Sequence, residues 1–294
     1  MDETRGNVKR LKVRSNNQFA VAIRQFKRNR LAMFALGFLI IIVLACCFQK
    51  YLTPYDYDVQ DIKNRFAPIS WQHICGTDQF GRDLFTRILK GGQISLLVAS
   101  CAVLLTAVFG VILGATAAFF GGLYETVIMR LVDVLMSIPG MLLAVAVSTA
   151  LGTGIDKSVY AIALAQLANL TRIMYSSALT IKGQEYLEAA RATGASKLRM
   201  IFKYVIPNCL APIIVQVSLR LGTCISVIAS LSFIGLGVQP PTPEWGSILN
   251  GGRQYIRQYW PMITFPGIAI AITLICFNLV GDGVRDALDP RMKR

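Results

Sequence analysis

Long apolar runs separated by short polar segments organise this chain. Six of them approach the ~20 residues that a helix needs to cross a hydrocarbon core. They lie at about 31–48 (LAMFALGFLIIIVLACCF), 94–119, 132–151, 158–178, 209–232 and 262–281. The third is broken at Pro139-Gly140, and the fourth is the weakest because Gln166, Asn169 and Arg172 interrupt it. Lipid offers no partner to a free amide, so each run is predicted to be helical. The first run is too long for a signal-peptide core of ~7–15 residues and follows a long polar leader, so it is read as an uncleaved span. The fold expected is all-α and integral to the membrane, with six transmembrane helices.

One polar stretch stands out, GQEYLEAARATGASKLRMIFKYVIPN at 183–208. Glu185 to Thr193 is rich in helix formers. Gly194 then interrupts, and Ser196 is placed to cap a second short helix. On that helix Leu198, Ile201, Phe202 and Val205 follow an i, i+3, i+4, i+7 stripe, with Lys197, Arg199 and Lys203 largely outside it. Pro207 is expected to prevent simple continuation into the fifth span. Two short helices at an angle, sharing one apolar face, suit either a lipid surface or a groove on a partner protein. Ala189, Ala190 and Ala192 favour the partner, since small side chains permit close approach and anchor poorly in lipid.

Composition agrees with the bilayer as solvent. Apolar residues make up 54% of the 294, and charged residues only 16%, against about a quarter in soluble domains. The mean hydropathy is +0.53. A net charge of +14 would suit nucleic acid on a soluble domain, but this chain has few solvated faces, and the positive-inside rule accounts for the excess. The first thirty residues carry nine Lys and Arg, which puts the amino terminus in the cytoplasm. Six crossings return the carboxyl terminus, with Arg285, Arg291, Lys293 and Arg294, to the same side. Segment 172–208 is also cytoplasmic, and 49–93, 152–157 and 233–261 lie outside. The seven cysteines lack CxxC spacing and read as small hydrophobes, Cys75 alone lying in a polar loop. His73 is the only histidine. No metal site and no catalytic residue is assigned.

Other candidates have two readings each. Arg130 and Asp133, spaced i, i+3 beside the third span, make a local ion pair or a gate, the ion pair preferred. Pro139-Gly140 is a pore hinge or a static kink. Arg220, near the middle of the fifth span, should face the pore or a partner, because a buried cation there costs roughly 2.5–3.5 kcal/mol. It would attract a substrate carboxylate or pair with an acid on another subunit. The run 237–246 (GVQPPTPEWG) is a docking surface or, preferably, a re-entrant packing loop. Asp78, Arg82 and Asp83 are expected to form salt bridges at the membrane rim.

Glu188-Ala189-Ala190, then Gly194, then Ile206-Pro207, resembles the EAA loop of ABC importer permeases, and it stands between two spans where that family places it. GTDQFGRDLFTRILKGGQISL (76–96), MRLVDVLMSIPG (129–140), LSFIGLGVQPPTPEWG (231–246) and GDGVRDALDPR (281–291) are similar to the dipeptide, oligopeptide and nickel permease group, nearest its second, DppC/OppC-like pore subunit. The resemblance implies a type I importer core of five helices preceded by one span. It divides the chain into a cytoplasmic tail (1–30), a first span with its outer segment (31–93), a permease core (94–283) with the loop at 183–208, and a second tail (284–294). It implies that Glu188, Ala189, Ala190 and Gly194, with Leu198, Ile201, Phe202 and Pro207, form an ATPase-docking element. The implied partners are a homologous DppB/OppB-like permease, two ATP-binding subunits, an extracytoplasmic substrate-binding protein and membrane lipid. ATP and Mg would sit on the ATPases, since the sequence has no GxxxxGK[ST] loop. The expected role is a non-catalytic inner-membrane pore for peptides or a related solute such as a nickel chelate. A polytopic membrane enzyme or a secondary transporter is the alternative class.

Overall fold

The structure, a computed structural model, describes residues 18–288. Arg291, Lys293 and Arg294, and most of the tail at 1–30, lie outside the described residues. Two helices open the fold, α1 (Gln18–Arg28) and α2 (Arg30–Cys47). Asn29 separates them and caps α2, its side-chain oxygen accepting from the Ala32 amide at 3.1 Å. The one-turn α3 (Gln49–Leu52) leads into an outer segment at 53–83. Asp83 caps α4 (Leu84–Phe120), accepting from the Thr86 amide at 2.7 Å. Then follow α5 (Gly122–Ser137), α6 (Gly140–Leu151) and α7 (Ile155–Lys182). The polar stretch holds α8 (Glu185–Ala192), α9 (Lys197–Met200), a π turn at Ile201–Val205 and α10 (Ile206–Asn208). It runs into α11 (Leu210–Phe233), and α12 (Trp245–Gly252) and α13 (Pro261–Leu288) complete the described residues.

Helices match the expected positions of all six spans, and the chain is all-α. Four of them (α2, α4, α11 and α13) are long and apolar enough to cross a membrane unaided, and α5 with α6 makes a fifth if the bent pair counts as one. That pair turns through 97°. Ile138, preceding the proline, is extended (φ −96°, ψ 129°), as the pyrrolidine ring requires of its predecessor. The break at Pro139 is therefore a corner. Helix α7 is 28 residues long but too polar to be counted with the four.

Three expectations change. The second span begins at Leu84, not near 94, because Asp83 caps a helix that already carries Arg87 and Lys90. Residues 18–28, read as part of a polar tail, form α1. The fifth span is not cleanly separated from the loop before it, since helical turns run through Pro207.

Packing centres on α4 against α7. Gly110 and Gly114 let the two backbones approach: a Cβ on Gly114 would lie 2.5 Å from the Thr171 carbonyl oxygen. Small residues at four-residue spacing are the usual means of close helix contact in lipid. One cluster of buried side chains joins α2, α4, α7, α11, α12 and α13, and a second joins α4, α7 and α11 to the α8–α9 stretch. Many large apolar side chains face outward, among them Phe34, Leu104 and Leu131, as a lipid-facing surface requires.

Candidate functional site

The stretch at 183–208 is an elbow whose joints follow local rules. Helix α8 carries Glu185 and Glu188 in its first turn and Arg191 in its last, each placed favourably for the helix dipole. It ends in a Schellman turn: the Gly194 amide donates to Arg191 O at 3.0 Å and the Ala195 amide to Ala190 O at 3.1 Å. Gly194 sits at φ +78° with open space around it, a conformation that glycine adopts without penalty. Ser196 then caps α9, its hydroxyl oxygen facing the Arg199 amide at 3.4 Å.

Burial divides the elbow in two. Leu187, Ala190, Met200, Ile201 and Val205 are buried and pack with Ala115 and Ala118 of α4, Leu170, Met174 and Ala178 of α7, and Ile213 of α11. Glu188, Ala189, Ala192 and Gly194 are exposed. Leu198 and Phe202, read on one apolar stripe with Ile201 and Val205, are 60% and 54% exposed, whereas Ile201 and Val205 are buried. A π turn follows α9, its Ile206 amide reaching back to Ile201 O. The same wide turn accommodates Pro207, which has no amide to give and would crowd the carbonyl four residues earlier. Just before the elbow, Lys182 at the end of α7 ties that helix to α4, donating to Ala118 O at 2.7 Å.

Above the elbow, two of the three residues that interrupt the fourth span, Gln166 and Arg172, bond to other helices, as does Tyr175 one turn on, while Asn169 is exposed. The Tyr175 hydroxyl donates to Glu125 of α5, Arg172 to Asp133 of α5, and Arg220 of α11 to Gln166. Arg130 stands 3.8 Å from Asp133, so Asp133 faces two cations, with Arg172 the nearer. Arg220 meets a neutral amide, and its Nε has no hydrogen-bond partner. Among the described residues, no group of three or more His, Cys, Asp or Glu side chains is arranged to hold a metal.

Residues 85–294 match the family described as "Binding-protein-dependent transport system inner membrane component", and residues 17–68 match the "N-terminal TM domain of oligopeptide transport permease C". The chain belongs to that transport family. It is a non-catalytic permease subunit of an ABC importer. Its similar relatives include the di/tripeptide transport permease DppC of Pseudomonas aeruginosa, 39% identical over 276 residues, covering 92% of this chain and 91% of that protein. The dipeptide permease DppC of Alkalihalophilus pseudofirmus is 40% identical over 272 residues (92% and 90%). The glutathione permease GsiD of Escherichia coli is 41% identical over 274 residues (92% and 89%). In fold, the chain is similar to a subunit of the inward-facing MetNI methionine ABC transporter, with a TM-score of 0.55 and 18% identity over 69% of this chain and 96% of that one.

At its opposite end the permease is sealed by a buried polar knot that the sequence did not disclose. Glu244 is fully buried and caps α12, accepting from the Gly246 and Ser247 amides at 2.9 and 3.2 Å. Its other oxygen lies 2.7 Å from Ser95 Oγ on α4, and Ser95 also donates to Gly91 O at 3.0 Å. Burial pushes the Glu244 carboxyl above the usual carboxylate range, against the pull of its hydrogen bonds. Beside it the Trp245 indole donates to Ile88 O at 2.8 Å. The 237–246 run thus packs onto α4. In the outer segment, Asp78 lies 2.7 Å from Arg82 and 3.4 Å from Arg87, whereas Asp83 faces His73 at 2.9 Å. Cys75 is buried there, and burial raises its thiol to about 11.

Proposed function

We propose that this permease forms part of the pore of an ATP-driven importer of short peptides, and that the α8–α9 elbow is where the ATPases push. The carrying observation is the elbow's division. An exposed edge of small and acidic residues (Glu188, Ala189, Gly194) is fixed by Leu187, Ala190, Met200, Ile201 and Val205 to the ends of α4, α7 and α11. That edge of small residues, on an elbow where Leu198 and Phe202 are also exposed, suits a protein groove. In this reading the elbow and both termini are cytoplasmic. A homologous permease, two ATPases carrying ATP and Mg, and an extracytoplasmic binding protein complete the transporter.

Force applied to α8 reaches α7 through the turn at 183–184 and α11 through the helical turns at 201–208. Helices α7 and α11, joined by Gln166 and Arg220, then tilt relative to the rest of the pore, exposing it alternately to the two sides. Peptide substrates fit the names of the similar relatives, and Arg220, a span cation with no acid beside it, is suited to draw a peptide carboxylate along the path. Gly194→Val forces a β-branched side chain into left-handed backbone at a cost of about 1–2 kcal/mol, and Glu188→Ala removes the acid from the exposed edge. Both are expected to weaken co-purification of the ATPases and peptide uptake while the permease still inserts. Wild-type ATPase association and uptake in both variants would overturn the docking role.

A further inference from the structure

We infer that the groove between α1 and the ends of α2, α11 and α13 is a binding site for an anionic phospholipid. The groove has a volume of about 360 Å³, within the ~300–1,000 Å³ range of small-molecule sites. Ile23, Phe26, Met33, Ile214, Val284 and Leu288 are among its lining residues, and Lys27 is the one charged or polar side chain that lines it. Such walls suit an acyl chain and nothing polar.

What selects the headgroup is the edge. Arg24, Lys27, Arg28 and Arg30 fall within seven residues and are all exposed, and the sequence has no acid between Glu3 and Asp56 to offset them. On the α13 side, Arg285 is matched by Asp282 and Asp286, so among the described residues the excess charge lies on the α1 side. A phosphate diester with an apolar tail is complementary to both parts at once, and basic pockets between spans favour such headgroups.

The groove is also preformed. A Cβ on Gly283 would come within 3.0 Å of Phe26 and 2.4 Å of Ala32, so α1 is seated on α13 by a contact that only glycine allows. An amphipathic helix merely resting on lipid would need no such seat.

The test is a titration of the purified, assembled transporter by native mass spectrometry, with phosphatidylglycerol against phosphatidylcholine of the same acyl chains. Phosphatidylglycerol should bind more tightly. Lys27→Gln and Arg28→Gln should each reduce that preference about fivefold, the effect of one surface cation on an anionic lipid. Lys50→Gln, at the other end of α2, should leave it unchanged. Ala22→Trp, which fills the groove, should remove one bound lipid of either kind. If it fails to assemble, the charge variants alone decide. The site is refuted if the double variant Lys27→Gln/Arg28→Gln keeps the wild-type preference, if Lys50→Gln lowers it equally, or if a cross-linker at Ile23 captures the second permease subunit instead of lipid.

Discussion

Substituting Gly114 with alanine tests the seam on which the rest of the fold depends. The added Cβ would stand 2.5 Å from Thr171 O, 2.8 Å from Met174 Cβ and 2.9 Å from the Tyr175 amide nitrogen, and two of these three atoms are backbone. No rotamer change relieves a backbone contact, so α4 and α7 must part by about 0.9 Å to restore ordinary 3.4 Å spacing. At Gly110, one turn earlier, the nearest atoms are Leu170 Cβ at 3.2 Å, Leu170 Cδ2 at 3.3 Å and the Thr171 amide nitrogen at 3.3 Å, so the helices there need give by only about 0.2 Å. Gly37 on α2 meets nothing within 4 Å. Overpacking costs typically about 1–3 kcal/mol, and replacing a helical glycine by alanine returns about 0.5–1 kcal/mol. Gly114→Ala should therefore be destabilising by up to about 2.5 kcal/mol, Gly110→Ala near neutral, and Gly37→Ala neutral or stabilising. Heating the purified transporter in detergent and measuring the fraction that remains monodisperse ranks the three. Because such unfolding is commonly irreversible, the comparison is of midpoints at one heating rate. Equal midpoints for Gly114→Ala and Gly37→Ala would refute the close approach of α4 and α7.

Glu244 gives a pH-dependent prediction. Its folded pKa is raised above the ordinary 4.5, so the folded state holds the proton longer than the unfolded chain. The stability this confers is complete below the unfolded value and is lost as pH rises through the folded one. Glu244→Gln stays neutral throughout, so its advantage over wild type in thermal midpoint should grow between pH 4.5 and 8, and a constant difference would contradict the reading. Arg220→Gln should reduce uptake of peptides with a free carboxyl terminus more than uptake of the same peptides amidated, with ATPase association intact. An equal loss for both would remove Arg220 from substrate attraction.

The spans were legible where the signal was local. Runs such as 31–48 need only length and apolarity to be recognised, and the Gly194 and Ser196 joints follow from backbone rules that act within four residues. The fourth span looked weak for the same reason: Gln166 and Arg172 count against a helix in a sliding window, whereas their partners, Arg220 and Asp133, come from other helices. The stripe through Leu198, Ile201, Phe202 and Val205 can be read from spacing, but which of its members are covered depends on α4, α7 and α11, which bury Ile201 and Val205 and leave Leu198 and Phe202 exposed. Glu244 and Ser95 are separated by 149 positions, and no short motif announces such a pair. Residues 18–28 read as tail because Arg24, Lys27 and Arg28 close a run too short to span, although Ala22 and Phe26 lie one helical turn apart.

The last span is held by a different neighbour near each of its ends. Near its C-terminal end, Phe26 and Ala32 press on Gly283. Before its first turn, the Tyr259 hydroxyl accepts from the Thr77 amide and donates to Ala67 O, in the outer segment that leads into α4. Helix α13 therefore bridges the α1–α2 pair and the entry to α4, and a tilt of either should carry it along whenever the pore changes shape.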